Sequence, residues 1–355
     1  MSQRRIRAVY MRGGTSRCLF FHAADLPEDA RERDRIFLAA LGSPDPYGRQ
    51  LDGLGGGISS LSKAMIVGPP SHPEADGDYT FGQVSVTEAL VDYRGNCGNC
   101  TSAVGPFAID ERLVQAREPV TTVRLHNTNT KKLIIARVPV ASGEAAVEGD
   151  FELPGVPGRG ARIALDFLDP GGAATGKLLP TGRARELLEI GGAGPIEASL
   201  VDATNPVVFV RAKDLGLLGT ELPEALDRDA ALARRLEAIR VAGAERMGIP
   251  GSPAIPKVAL VAQPATYRAL DGREFMAGEV DLVARVISMG NCHRAFALTA
   301  AMCLAVAARV DGSVVAECLR ASGADVRLGH PSGILPVDAR VERDSTGVPV
   351  ARSVT

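Results

Sequence analysis

The chain has 355 residues, 45% hydrophobic and 23% charged, with a formal net charge of −2. That balance excludes a disordered chain, and it gives no electrostatic reason to expect nucleic acid or an anionic membrane surface as a partner. The length calls for two domains of ordinary size.

The first residues, MSQRRIRAVYMRGG, are basic with no apolar stretch behind them, so they do not read as a secretory signal. Val9 and Cys18–Phe21 read as strands separated by the turn residues Gly13-Gly14-Thr15-Ser16. Pro27 to Leu41 reads as a helix with its proline in the first turn. Lys63–Val67, Thr80–Val86 and Glu88–Asp92 read as strands, followed by Thr122–Leu125, Leu133–Val138 and Ile163–Phe167. Short connections predict antiparallel neighbours. Two segments, Ser102–Ile109 and Ala295–Val310, are apolar nearly all round. A helix with no polar face is buried on every side, so each is expected to run inside its own sheet. Pro106 is expected to kink or shorten the first. No apolar run reaches the ~18 residues of a membrane span, and a cytoplasmic location is expected.

A weak duplication organises these elements. Thr15 in RGGTSRCLFFHAADL aligns with Thr204 in DATNPVVFVRAKDL at an offset of 189. Lys63 in SSLSKAMIVGPP aligns with Lys257 in SPAIPKVALVAQP at 194, and GNC at Gly95–Cys97 with GNC at Gly290–Cys292 at 195. Ordered matches at this period indicate two copies of one domain, not a solenoid. The expected architecture is α+β: two pseudo-symmetric lobes, 1–185 and 186–355, each a mixed, mostly antiparallel sheet around a central helix, with the site in the cleft between them.

Cys97 stands just before the first buried helix, in GNCGNC. A helix N-terminus presents unpaired N–H groups and partial positive charge, which favour a thiolate and bind carboxylates. Cys97 and Cys100 form a C-x-x-C, but its Gly-Asn spacer and the missing second ligand pair argue against a redox or zinc site. The six cysteines are expected to be free thiols. Lys63 lies where a strand begins, among apolar neighbours that could desolvate it into a base. The Gly-rich run Gly53–Gly57 before it lacks the Gly-Lys-Ser/Thr ending of a phosphate loop. His330-Pro331-Ser332-Gly333 is a turn whose amides and hydroxyl could hold a carboxylate.

RGGTS at Arg12–Ser16, GLGGG and SK between Gly53 and Lys63, GNCGN at Gly95–Asn99, VGPFAI at Val104–Ile109, HNTNT at His126–Thr130, TGKLLPTG at Thr175–Gly182 and GHPSG at Gly329–Gly333 follow one another in order. Together they resemble the methylaconitate isomerase (PrpF-type) family of the diaminopimelate-epimerase-like fold. The resemblance implies a cofactor-independent isomerase or tautomerase of small unsaturated di- or tricarboxylates such as 2-methylaconitate, aconitate, methylitaconate or 4-oxalomesaconate. It implies Lys63 and Cys97 as catalytic residues, Thr15, Ser16, Asn99, Ser332 and Gly333 as substrate contacts, and no metal. Arg17-Cys18 replace the family's usual Lys-Gly, Cys100 stands where a larger apolar residue is common, and Cys292 stands where no cysteine is expected. Arg17 and Cys292 are therefore secondary candidates. Two alternatives are a racemase or epimerase using Cys97 and Cys292 as paired thiols, and a non-catalytic partner of a dehydratase. A homodimer is compatible with the sequence.

Overall fold

The computed structural model describes residues 3–191, 194–320, 323 and 325–355. The chain divides into two compact units between Asp166 and Phe167, ahead of the boundary expected near 185. Residues 170–178 belong to the second unit because Asp202 captures them. Its Oδ2 accepts the amides of Ala174 and Thr175 and the Thr175 hydroxyl, while its carbonyl accepts from Gly172.

The first unit contains β1 (Val9–Gly13), β2 (Ser16–His22), α1 (Ala30–Leu41), β3 (Lys63–Gly68), β4 (Gly77–Val84), β5 (Val91–Asp92), α2 (Gly98–Asp110), β6 (Val120–Asn127), β7 (Lys132–Ala141) and β8 (Glu144–Ala145), with β9 (Ala164–Leu168) at the boundary. β1 and β2 pair antiparallel, β2 and β3 parallel, β3 and β4 antiparallel, β4 and β6 parallel, and β6 and β7 antiparallel. The sheet is covered on both faces, which explains the uninterrupted Cys-Leu-Phe-Phe run of β2. Leu19 and Phe21 join Phe37 and Leu41 of α1 in one apolar cluster. Phe20 points the other way, its ring 5.5 Å from that of Phe107 in α2.

α1 starts later than its sequence suggests, because the Asp29 side chain caps it by accepting the Glu32 amide. α2 starts earlier, at Gly98, and runs through Pro106 to Asp110, so the proline does not end it. From Gly98 to Ile109 only Ser102 is partly exposed, as expected of a helix with no polar face.

The second unit contains β10 (Glu186–Ile190), β11 (Gly194–Ala203), β12 (Asn205–Arg211), α3 (Pro223–Arg228), α4 (Ala230–Met247), β13 (Lys257–Ala262), β14 (Tyr267–Arg268), β15 (Glu274–Phe275), β16 (Leu282–Ser288), β17 (Asn291–Cys292), α5 (Leu298–Ala307), α6 (Val314–Cys318), β18 (Asp325–His330), β19 (Gly333–Arg343) and β20 (Pro349–Val354). Its pairing sequence repeats the first: β11–β12 antiparallel, β12–β13 parallel, β13–β16 antiparallel, β16–β18 parallel, β18–β19 antiparallel. α4 takes the place of α1, packing Leu232, Leu236 and Ile239 with Val208, Val258 and Leu260. α5 takes the place of α2, buried from Thr299 to Ala307.

The register of the two copies corrects one expected equivalence. Lys63 pairs with Gln83, and Gln83 with Asp92. In the second unit Lys257 donates to Ser288, and Ser288 pairs with Asn291. Asn291 therefore answers Asp92, and Cys292 answers Tyr93, not Cys97. Cys97 is the residue immediately before α2, and the residue immediately before α5 is Ala297. The two GNC strings match in sequence but sit at different places in the repeat. Among the described residues no helix is long and apolar enough to cross a membrane.

Candidate active site

Four candidate residues of the first unit, Thr15, Ser16, Cys97 and Asn99, gather at the start of α2. Cys97 is the N-cap residue, and its Sγ accepts the Cys100 amide at 3.5 Å. The Ser16 hydroxyl lies 3.9 Å from the same sulfur. Asn99 and Thr15 hold one another: the Thr15 amide donates to Asn99 Oδ1 at 3.3 Å, and Asn99 Nδ2 donates to Thr15 Oγ1 at 3.1 Å. This locks the β1–β2 turn onto the first turn of α2, and it explains the adjacent glycines. A Cβ on Gly13 would lie 2.3 Å from the Asn99 carbonyl oxygen, and one on Gly14 2.2 Å from Asn99 Oδ1.

Behind Cys97 lies a buried polar network. Asn96 Oδ1 accepts the Cys97 amide at 2.7 Å and Asn127 Nδ2 at 3.1 Å. The Tyr79 hydroxyl donates toward Asn96 Oδ1 and meets the Thr101 hydroxyl at 3.0 Å. Burial pushes the Tyr79 phenol up to about 12, so it remains a neutral donor. Asn127 Oδ1 in turn accepts the amide and hydroxyl of Thr130. The HNTNT segment thus fixes the backbone that presents the thiol.

Lys63 opens β3 with its side chain almost fully buried. Nζ donates to Gln83 Oε1 and lies 5.0 Å from the centre of the Phe81 ring. Burial holds its ammonium below the ordinary lysine range, and the charge of a Cys97 thiolate opposes that shift. Arg17 lies over the Tyr10 ring at 5.4 Å, with Nε buried and unpartnered. It borders the Gly-rich loop, where a Cβ on Gly56 would come within 2.9 Å of its Nη2.

The cysteines depart from the expected free thiols at one pair. Cys18 and Cys100 form a disulfide, while Cys97, Cys292, Cys303 and Cys318 are free. Both partners are fully buried against one another where β2 packs on α2. Cys100 is therefore bonded to Cys18 and not to Cys97.

Three candidates lie in the second unit. The Ser332 hydroxyl donates to the Arg294 carbonyl, its amide donates to His330 Nδ1, and the Gly333 carbonyl accepts the Tyr267 hydroxyl. Burial depresses His330 to about 3, so it is a neutral acceptor that shapes this turn. Cys292 is buried in an apolar cluster, its thiol donates to the His293 carbonyl, and burial raises it to about 12.

Gln83 and Tyr79 were not singled out from the sequence, and Asn96 and Asn127 entered only within the GNCGN and HNTNT strings. The available signal was the alternation of Gly-Asp-Tyr-Thr-Phe-Gly-Gln-Val, which puts Tyr79, Phe81 and Gln83 on one inward face of β4.

Two sheets of one topology, each enclosing a buried helix, make a fold that is shared, as a fold alone, by solved racemase and epimerase structures at 13% identity or less. The chain belongs to the PrpF protein family, whose profile matches residues 3–354. It is 46% identical to a 3-methylitaconate isomerase of Eubacterium barkeri, over 96% of this chain and 93% of the relative. It is 42% identical to a 2-methyl-aconitate isomerase of Shewanella oneidensis, over 97% and 91%. A crystal structure of a methylitaconate-delta-isomerase, 44% identical, superposes with a TM-score of 0.77 over 99% of this chain and 93% of that one.

Proposed function

We propose that this isomerase moves a proton on a small unsaturated di- or tricarboxylate of the methylitaconate or methylaconitate type, with Lys63 and Cys97 as its acid–base pair. The observation that carries the reading is Lys63: a buried amine held by a neutral carboxamide, beside a thiol that caps a helix. A carbon acid flanked by a conjugated carboxylate needs a base that is neutral when substrate arrives. Removing the allylic proton gives a delocalised anion, with Lys63 becoming an ammonium. The Cys97 thiol delivers a proton to the far end of the allyl system, leaving a thiolate, and proton return from Lys63 to Cys97 restores the starting state. The double bond shifts, and no atom besides hydrogen is exchanged. Amides at the start of α2 stabilise the negative charge. Thr15, Ser16 and Asn99, and Ser332 and Gly333, are proposed as carboxylate contacts. The cytoplasm and a homodimeric assembly go with the reading as proposals.

The racemase alternative needs a second thiol that ionises in the working range. Cys292 answers Tyr93 in the repeat and is raised to about 12, which weighs against that role. The test is Lys63→Ala and Cys97→Ala assayed on 3-methylitaconate and 2-methylaconitate in D₂O. Each is expected to lose about 10²–10⁴-fold in turnover while folding normally. Wild-type turnover in Lys63→Ala removes the mechanism, and turnover of neither compound by the wild-type protein removes the substrate class.

A further inference from the structure

Gln83 stands directly across from Lys63 in the β3–β4 pair and is 3% exposed. Its Nε2 donates to the carbonyl oxygens of Ser62 at 2.9 Å and Ser59 at 3.1 Å. Two carbonyl acceptors on one side of the carboxamide decide which way it faces, because only the nitrogen can donate to them. Oε1 is thereby turned to the Lys63 amine.

The ordinary partner of a buried lysine is a carboxylate, which satisfies the charge and fixes the ammonium form. A carboxamide of the same outline accepts an N–H from a neutral amine equally well. It leaves the nitrogen lone pair available. Cys97 acts on Lys63 from the start of α2, Tyr79 lies on the same strand as Gln83, and Asp92 of β5 pairs with Gln83. Asp92 is engaged by the amide and guanidinium of Arg94. Only Cys97 has a resolved electrostatic effect on Lys63.

We propose that Gln83 is a positioning residue for Lys63: its carboxamide, clamped by the Ser59 and Ser62 carbonyls, aims the amine and, carrying no charge, leaves it in the proton-accepting form. This rests on Lys63 being the base proposed above. The Ser-Ser-Leu-Ser segment before β3 then has a definite job, since it supplies the carbonyls that set the amide's direction. The β4 segment and the segment before Lys63 form one unit with the base.

The experiment compares wild type, Gln83→Glu and Gln83→Leu by two readouts. One is kcat/KM against pH with whichever of 3-methylitaconate and 2-methylaconitate the wild type turns over. The other, needing no substrate, is acetylation of Lys63 by acetic anhydride against pH, followed by peptide mass spectrometry. Gln83→Glu puts an anion against Nζ. Its acidic limb and its Lys63 labelling midpoint are expected to move up together by about one pH unit or more. Activity lost at neutral pH returns as the pH is raised. Gln83→Leu loses the aim without adding charge, so kcat falls about 10²-fold at every pH with no upward movement of the limb. An unmoved labelling midpoint in folded Gln83→Glu overturns the inference. If the second glutamate oxygen, facing two carbonyls, prevents folding, wild-type kcat in Gln83→Leu overturns it instead. The base assignment fails separately, through activity in Lys63→Ala, and the labelling midpoints remain readable in that event.

Discussion

Gly13→Ala tests whether the packing of the β1–β2 turn on α2 sets the catalytic geometry. The new Cβ would fall 2.3 Å from the Asn99 carbonyl oxygen and 2.9 Å from Cys100 Cα. Both are backbone atoms, so no side chain can swing away. Reaching an ordinary carbon contact of about 3.5 Å moves the turn and the helix start apart by roughly 1 Å. That overpacks the site at about 1–3 kcal/mol. It also stretches the two Thr15–Asn99 hydrogen bonds, worth about 1 kcal/mol each. A loss of roughly 3 kcal/mol in urea unfolding is expected, with a fall in kcat of about 10²-fold from displacing Cys97 relative to Lys63. Gly278→Ala is the control, because a Cβ there meets nothing within 4 Å; it should stay within about 0.5 kcal/mol. Wild-type stability and turnover in Gly13→Ala would refute the claim that this close approach positions the thiol.

Cys292→Ala should keep turnover within a few-fold while losing about 1 kcal/mol of stability from its apolar cluster; a loss equal to that of Cys97→Ala would restore the two-thiol reading. Burial lowers Lys63 from 10.5, so kcat/KM should rise with pH through that lowered value, and an acidic limb at or above the ordinary lysine value contradicts it. In the window between the lowered value and 10.5 the unfolded chain binds a proton that the folded chain lacks, so stability should rise with pH there; urea midpoints that fall across the window would reverse the sign. Among the described residues no group of three His, Cys, Asp or Glu side chains could hold a metal, and activity should survive exhaustive chelation. Titration of the denatured protein should find the free thiols Cys97, Cys292, Cys303 and Cys318, with Cys18 and Cys100 appearing only after reduction.

What the sequence made legible follows from locality. The helices without a polar face announced their burial, and the Gly-Gly and Gly-Asn-Cys turns announced a crowded helix start, because both are written in neighbouring residues. Lys63 was legible as a desolvated amine from Ala64, Met65 and Ile66. Its partner was not, because Gln83 meets it only through strand pairing, across a separation that composition does not encode. The Asn96–Tyr79–Asn127 network is hidden for the same reason: β4, β6 and the turn before α2 contribute one residue each. The Cys18–Cys100 bond joins residues 82 apart and depends on how β2 lies on α2. The GNC at Cys292 misleads because identity over three residues does not carry structural equivalence. The strand register shifts the second GNC into the β16–β17 hairpin, whereas the first GNC follows β5.

That shift bears on how the two copies divide the work. Each starts its third core strand with a buried lysine, Lys63 in β3 and Lys257 in β13, so the position is a property of the repeat. The surroundings have diverged. Lys63 donates to a carboxamide and feels the charge of the helix-capping Cys97, whereas Lys257 donates to the Ala254 carbonyl and the Ser288 hydroxyl. α5 is capped by Ala297 with no side-chain hydrogen bond, so the second copy has no thiol where the first has Cys97. A racemase that works on both faces of one carbon needs matched groups from both copies. An allylic isomerase needs only one acid–base pair, because both ends of a planar delocalised anion can be served from one side. The divergence around a retained lysine is therefore what the proposed chemistry permits and what a two-thiol mechanism would forbid.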